Sequence, residues 1–268
     1  MANKDSATYI AGFALGVCLV CSLGVSAAAI LLKDRQEVNA KVAQQEKILD
    51  VAGLVRPGEE LSTTEVQTLF AERLIPVLVD LKTGDLLADA NGVAAAEFDM
   101  MSAAKAANAV AEANDAKVRF QPTIGKLYYQ VDDKGQVKKI IVPIEGYGLW
   151  GFLFGYLAFE ADGETISGIT YYKHGETPGL GGEVDNPNWK GLWKGKKAYA
   201  PGKSEVAIQV VKNASGEFEV DSLSGATITS RGVSNMMGFW LGDRGFGPFL
   251  QKVRASGPPQ PLQTPGKN

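Results

Sequence analysis

The chain opens on one long apolar stretch and settles into mixed patterns only afterwards. Residues 9–32 are 24 positions without a charge. At about 1.5 Å rise per residue they give roughly 36 Å of helix, enough to cross a hydrocarbon core of about 30 Å with some tilt. A cleaved leader is the rival reading, because Ser26-Ala27-Ala28 offers small residues to a peptidase. The run outlasts the usual core of about 7–15 apolar residues and continues through Ile30, Leu31 and Leu32, so it reads as an uncleaved anchor. Lys4 precedes it, and Lys33 and Arg35 follow, so charge does not orient it. Gly12 and Gly16, then Ser22 and Ser26, put small residues four apart, a spacing that suits close helix packing in lipid. Beyond it lies a polar stretch with Val38 and Val42 one turn apart, and apolar residues return at 48–55. This predicts a helical stalk over 33–55, closed by Arg56-Pro57-Gly58.

Ser62 with Glu65 forms a capping box for a helix through about Leu74. Three hairpins follow from alternating runs around turn residues. The first pairs 127–131 with 137–144 across Asp132-Asp133-Lys134-Gly135, and the second pairs 156–160 with 165–172 across Ala161-Asp162-Gly163-Glu164. The third pairs 206–211 with 217–220. After Ser230, apolar residues recur at Val233, Met236, Met237, Trp240 and Leu241, the stripe of an amphipathic helix whose Met and Trp are core residues. A Pro/Gln/Gly composition from Gly257 onward predicts a disordered tail. Hairpins with segregated helices make the fold α+β. The expected divisions are a flank at 1–8, a transmembrane helix at 9–32, a stalk at 33–55, a folded domain at 56–256 and a tail at 257–268.

Composition narrows the chemistry. The 268 residues carry a net charge of −3 with a pI of about 5.4, which argues against a nucleic-acid partner. With one histidine, His174, and two cysteines, the inventory leaves a protein zinc site or a His-dependent triad nearly excluded. Cys18 and Cys21 read as small apolar filler in the anchor. Gly-x-Gly-x-x-Gly occurs at Gly146-Tyr147-Gly148-Leu149-Trp150-Gly151, but between two predicted strands and not where a strand leads into a helix, so it does not point to nicotinamide binding here. Redox chemistry would need a bound organic cofactor.

The candidate site is Asp221-Ser222-Leu223-Ser224-Gly225-Ala226-Thr227-Ile228-Thr229-Ser230, between a predicted strand and the amphipathic helix. Gly225 and Ala226 leave the Thr227 hydroxyl open, and a following helix offers free N–H groups to a phosphate. An ordinary Ser/Thr helix cap fits the same residues. The segment 221–227 resembles the covalent flavinylation motif of bacterial FMN-binding domains. There a transferase, using FAD and Mg²⁺, joins FMN through its phosphate to the last threonine. The order of anchor, stalk, hairpin-rich domain and late flavin motif resembles the C-subunit family of Na⁺-translocating NADH:quinone oxidoreductases. So do the stalk, Asp34-Arg35-Gln36-Glu37-Val38-Asn39 to Ile48-Leu49-Asp50-Val51-Ala52-Gly53-Leu54, and the ending, Phe239-Trp240-Leu241-Gly242-Asp243-Arg244-Gly245-Phe246-Gly247-Pro248-Phe249-Leu250. The resemblance covers residues 5–256.

That resemblance implies an FMN-binding domain over 56–256, with Thr227 as the phosphothreonine ester and Ser224, Gly225, Ala226 and Asp221 around it. Thr229 and Ser230 are chemically able competitors. It also implies flavin contacts from Glu176, Thr177, Gly179 and Leu180 in the glycine-rich segment 174–183. In Glu145-Gly146-Tyr147-Gly148-Leu149-Trp150-Gly151, Tyr147 and Trp150 among glycines suit a ring wall and core packing equally, and Trp150 is taken as a candidate flavin contact. His174 is read as a hydrogen-bonded structural residue. The implied role is an electron relay from an intramembrane iron–sulfur centre to the FMN of the B subunit, alongside the A, B, D, E and F subunits. Electrons would pass overall from NADH to ubiquinone with Na⁺ export, and the domain would lie in the periplasm of an inner-membrane protein. The alternatives are a G-type subunit of an Rnf complex, a flavin-binding sensor domain and an anchored structural adaptor.

Overall fold

The computed structural model describes residues 6–56 and 58–262. The flanking Lys4 and Asp5, Pro57 of the expected stalk-ending turn, and the tail from Gln263 lie outside the described residues. Contacts divide the chain into two units, one ending at Gln44 and the other starting at Gln45.

Among the described residues, the first unit is helical from Ala7 on. Helix α1 (Ala7–Ala52) is 46 residues long, and through Leu32 its large apolar side chains are exposed, Phe13 by 66% and Leu31 by 79%. It is one helix long and apolar enough to cross a membrane. Cys18 and Cys21 are exposed free thiols on it.

The last turns of α1 belong to the second unit, where Ile48, Leu49, Val51 and Ala52 are buried. The helix stops at Ala52, short of the expected Arg56-Pro57-Gly58, because Gly53 takes φ +73°. Leu54 N–H then reaches Leu49 O at 3.0 Å and Gly53 N–H reaches Asp50 O at 2.9 Å, the paired bonds of a glycine-closed helix end. Lys139 Nζ donates to the freed Ala52 carbonyl at 2.7 Å. Helix α2 (Thr63–Arg73) begins at the expected capping box, with Ser62 Oγ accepting from Glu65 N–H.

Next come β1 (Leu74–Asp80), β2 (Leu86–Leu87), β3 (Asp89–Ala90), β4 (Val93–Ala94) and α3 (Met100–Ala106). Then β5 (Ile124–Val131), β6 (Val137–Tyr147), β7 (Phe152–Glu160) and β8 (Ile166–Lys173) form the two expected hairpins and the sharp return between them. One antiparallel sheet results, in the order β2-β1-β5-β6-β7-β8. Both hairpin turns use the same device: Asp132 Oδ1 accepts from the N–H of Lys134 and Gln136, Asp162 Oδ1 from those of Glu164 and Thr165, and Gly135 and Gly163 take positive φ. In β7, Gly155 lies where a Cβ would stand 2.2 Å from Thr170 O, so only glycine lets β8 close on it.

A 3-10 turn (Gly181–Asp185) and α4 (Pro187–Gly191) lead to β9 (Gln209–Val211) and β10 (Glu219–Asp221). These last two correct the third hairpin, for they pair in parallel, Gln209 with Glu219 and Val211 with Asp221. A parallel return must span the whole strand length, and three-residue strands leave only about 10 Å to cover. Asn213 and Gly216 in left-handed conformations turn the chain back twice, and Asp221 Oδ1 holds the loop through Ala214 N–H at 2.8 Å.

Helix α5 (Thr227–Trp240) starts three residues before the expected boundary, and α6 (Gly247–Ser256) follows it. Val233, Met236, Met237, Trp240 and Leu241 are all fully buried, with Phe246, Phe249 and Leu250, in the core against Val142, Ile144 and Leu157 of the sheet. Trp240 Nε1 satisfies itself on Glu145 O at 2.7 Å. On the opposite face, Ala158 pairs with Ile141 and Gly168, and Gly168 packs on Val51 of α1. The fold is α+β, as expected. Gly257 to Leu262 carry no regular structure.

Candidate functional site

The site forms where α5 begins, and glycine puts it there. Gly232 on α5 approaches β6 so closely that a Cβ would meet Tyr147 O at 2.2 Å, and Gly146 does the same against Met236 Cβ at 2.8 Å. Helix and strand therefore meet backbone to side chain at the end of β6. That contact sets the first turn of α5 beside the 148–151 loop.

Glu176 ties the region together. Its side chain is buried, with Oε1 accepting from Leu149 N–H and Trp150 N–H at 3.0 Å each and Oε2 accepting from Thr229 Oγ1 at 2.6 Å. One carboxylate thus joins the 148–151 loop, the segment after β8 and α5, with every contact charge-assisted. Gly148 and Gly181 make room for it: a Cβ at either would stand 2.5 Å from Oε1 or 2.3 Å from Oε2. Its oxygens face three protein donors, so Glu176 holds the wall of the site in place.

Thr227 is the first residue of α5 and is exposed. The two competing hydroxyls are not. Thr229 is fully buried on Glu176, and Ser230 is buried with its Oγ accepting from Leu223 N–H at 3.0 Å. The N-cap residue is Ala226, and no side chain caps the helix. The ordinary-cap reading of the Ser/Thr residues therefore finds no bond to support it, and no side chain caps the first-turn N–H groups, as a phosphate would need.

Around Thr227 lie other exposed groups. Gly225 takes φ +71°, and a Cβ on it would touch Leu180 Cδ2 at 3.1 Å, so the 174–183 segment and the 221–230 segment are in contact. Ser224, Thr177, Gly179 and Leu180 are exposed. Trp150 is 68% exposed although its N–H is fixed by Glu176, an apolar ring held out in solvent, and Leu149 and Ile228 join it as exposed large apolar residues. Asp221 faces away, into the 213–214 turn. Tyr147 also faces elsewhere, against Phe152 at 5.2 Å with Lys117 over its ring. An open apolar lip, a free hydroxyl and uncapped amides suit a planar ring carried on a phosphate, so these residues fit a flavin mononucleotide. Surface concavities of about 640 and 1240 Å³ elsewhere, both bordered by Asp243 and Arg244, include none of these residues.

Sequence reasoning missed Thr229, Gly148 and Gly181 as supports. The i, i+2 pair Thr227 and Thr229 was the available signal, because two residues apart at a helix start point to different sides.

Comparison with known proteins agrees with this geometry. The FMN-binding domain family matches residues 148–242, which take in all three site segments. The C subunit of the Na⁺-translocating NADH-quinone reductase of Vibrio parahaemolyticus is 45% identical over 95% of this chain and 98% of its own length. That of Yersinia pestis is 42% identical over 94% and 95%. Among solved structures, the crystal structure of Shewanella oneidensis NqrC is 36% identical with a TM-score of 0.69, covering 79% of this chain and 96% of its own. The corresponding reductase subunit from Parabacteroides distasonis is 30% identical with a TM-score of 0.60, covering 82% and 95%.

Proposed function

We propose, because this chain belongs to the family of C subunits of Na⁺-translocating NADH-quinone reductases, that it is the electron-relay subunit of such a complex and carries FMN esterified through its phosphate to Thr227. It is a flavoprotein subunit of a multi-subunit enzyme, anchored in the membrane by α1. When bound, FMN supplies one-electron chemistry. The chain's own residues do the rest: Thr227 presents the hydroxyl, the uncapped start of α5 receives the phosphate, and Trp150, Leu149, Leu180 and Ile228 offer the ring an apolar lip. Ser224, Gly225 and Ala226 hold the turn, Thr177 and Gly179 line it, and Glu176 fixes the wall. An FMN transferase makes the ester during maturation. Electrons come from an iron–sulfur centre within the membrane and go to the FMN of the B subunit, in an assembly with the A, B, D, E and F subunits that reduces ubiquinone. The folded domain lies in the periplasm.

One observation carries the reading: of the three hydroxyls at the start of α5, only that of Thr227 is both exposed and free of a structural bond. Tryptic mass spectrometry tests it. The peptide 213–231, cut at Lys212 and Arg231, contains every candidate hydroxyl. It is expected to carry FMN on Thr227 when the protein is made with its transferase, and Thr227→Val is expected to abolish the adduct. An adduct on Thr229 or Ser230, or one that survives Thr227→Val, refutes the assignment.

A further inference from the structure

The bonds beneath the site run one step further back, to the sole histidine of the chain. Glu176 N–H donates to His174 Nδ1 at 3.2 Å, so Nδ1 is the acceptor and the ring proton sits on Nε2. Nε2 faces Asp185 Oδ2 at 2.8 Å, and an ionised carboxylate can only accept. Both bonds therefore select one tautomer. Asp185 ends the 3-10 turn Gly181–Asp185, whose Gly181 packs on Glu176 Oε2 and Thr229 Oγ1. Between β8 and that turn the backbone has no regular structure, and the bond from Glu176 N–H back to His174 restrains it much as an Asx-turn would.

We propose that His174 is a positioning residue for the flavin site: Asp185 holds its tautomer, His174 fixes the backbone of Glu176, and Glu176 in turn sets the Leu149–Trp150 wall and Thr229. The consequence for the ring rests on the FMN reading above; the backbone consequence does not. Glu176 has three donors to satisfy from three separate residues, and a carboxylate only two methylenes from a wandering backbone would not meet them together. His174 stops that backbone wandering.

The test uses the full chain in detergent, made without the transferase, and reads hydrogen exchange at the Leu149 and Trp150 amides. His174→Ala is expected to speed exchange there tenfold or more. His174→Asn, whose Oδ1 can take the place of Nδ1, is expected to bring it back to within threefold of the parent. Asp185→Ala, at a side chain 46% exposed, is expected to fall between. Unchanged exchange in His174→Ala, or equal exchange in the Ala and Asn variants, overturns the proposal. Should His174→Ala fail to fold, Asp185→Ala decides, and unchanged exchange there overturns it as well. In the flavin-loaded chain, the visible circular dichroism of the flavin is expected to weaken in His174→Ala and recover in His174→Asn. An unaltered flavin band beside faster exchange overturns the link to the ring. A parent protein with no flavin on peptide 213–231 refutes the FMN reading instead, and leaves the exchange data to judge His174 alone.

Discussion

The site has a floor and a rim, and they are built on opposite rules. The floor is Glu176, Thr229, Ser230, Gly148 and Gly181, buried or nearly so, with the polar side chains bonded to protein and no space for a methyl group beside the carboxylate. The rim is Trp150, Leu149, Leu180, Thr227 and Ile228, exposed and mostly apolar. The difference shows which residues keep a shape and which are free to meet a ligand. A buried carboxylate that is fully bonded stabilises a local arrangement; breaking one of its contacts strands the others. Trp150, exposed beside Leu149, Leu180 and Ile228, is an apolar side chain open to a ligand.

Substitutions can break that contrast. Gly181→Ala drives a Cβ into Glu176 and Thr229, and so is expected to cost at least about 3 kcal/mol by displacing a buried, bonded carboxylate. Urea unfolding of the detergent-solubilised protein, followed by Trp fluorescence, measures it. Glu145 offers a contrast within the buried acids: burial pushes its carboxyl up to about 7 from 4.5. Below pH 4.5 both folded and unfolded chains hold this proton. Between 4.5 and 7 only the folded chain does, so stability falls as pH rises, and the full cost stands above 7. Glu145→Gln is thus expected to stabilise the protein at pH 8 by at most about 3 kcal/mol, and to change nothing at pH 4. Thr229→Val keeps the shape but removes one donor, for an expected loss of about 1–3 kcal/mol with FMN still attached to Thr227. At the rim, Trp150→Ala is expected to leave stability within about 0.5 kcal/mol while the flavin's visible circular dichroism changes. A large stability loss there would move Trp150 from rim to floor.

Sequence was informative where a pattern is local. The Val233 to Leu241 stripe, the Ser62–Glu65 capping box and the Asp-Gly turns at 132–135 and 162–163 are each written within a few neighbouring residues, and each appears in the structure. Strand β1 was hidden because 74–79 is an apolar run broken by Pro76, with no alternation to separate strand from helix. The parallel β9–β10 pair was hidden because three-residue strands are too short to show direction. The start of α5 was misplaced because serine and threonine read as a cap, whereas Ala226 takes that position and caps nothing. Least legible was Glu176, whose partner Thr229 lies 53 residues away. Its role depends on the fold bringing the two together.

Because Glu176 is bonded to three protein donors and Thr227 stands exposed at the uncapped start of α5, nothing has to open for the hydroxyl to be reached. On the proposed function, a modifying enzyme would work on the folded domain as on any surface residue, and loading of the flavin would not have to precede folding.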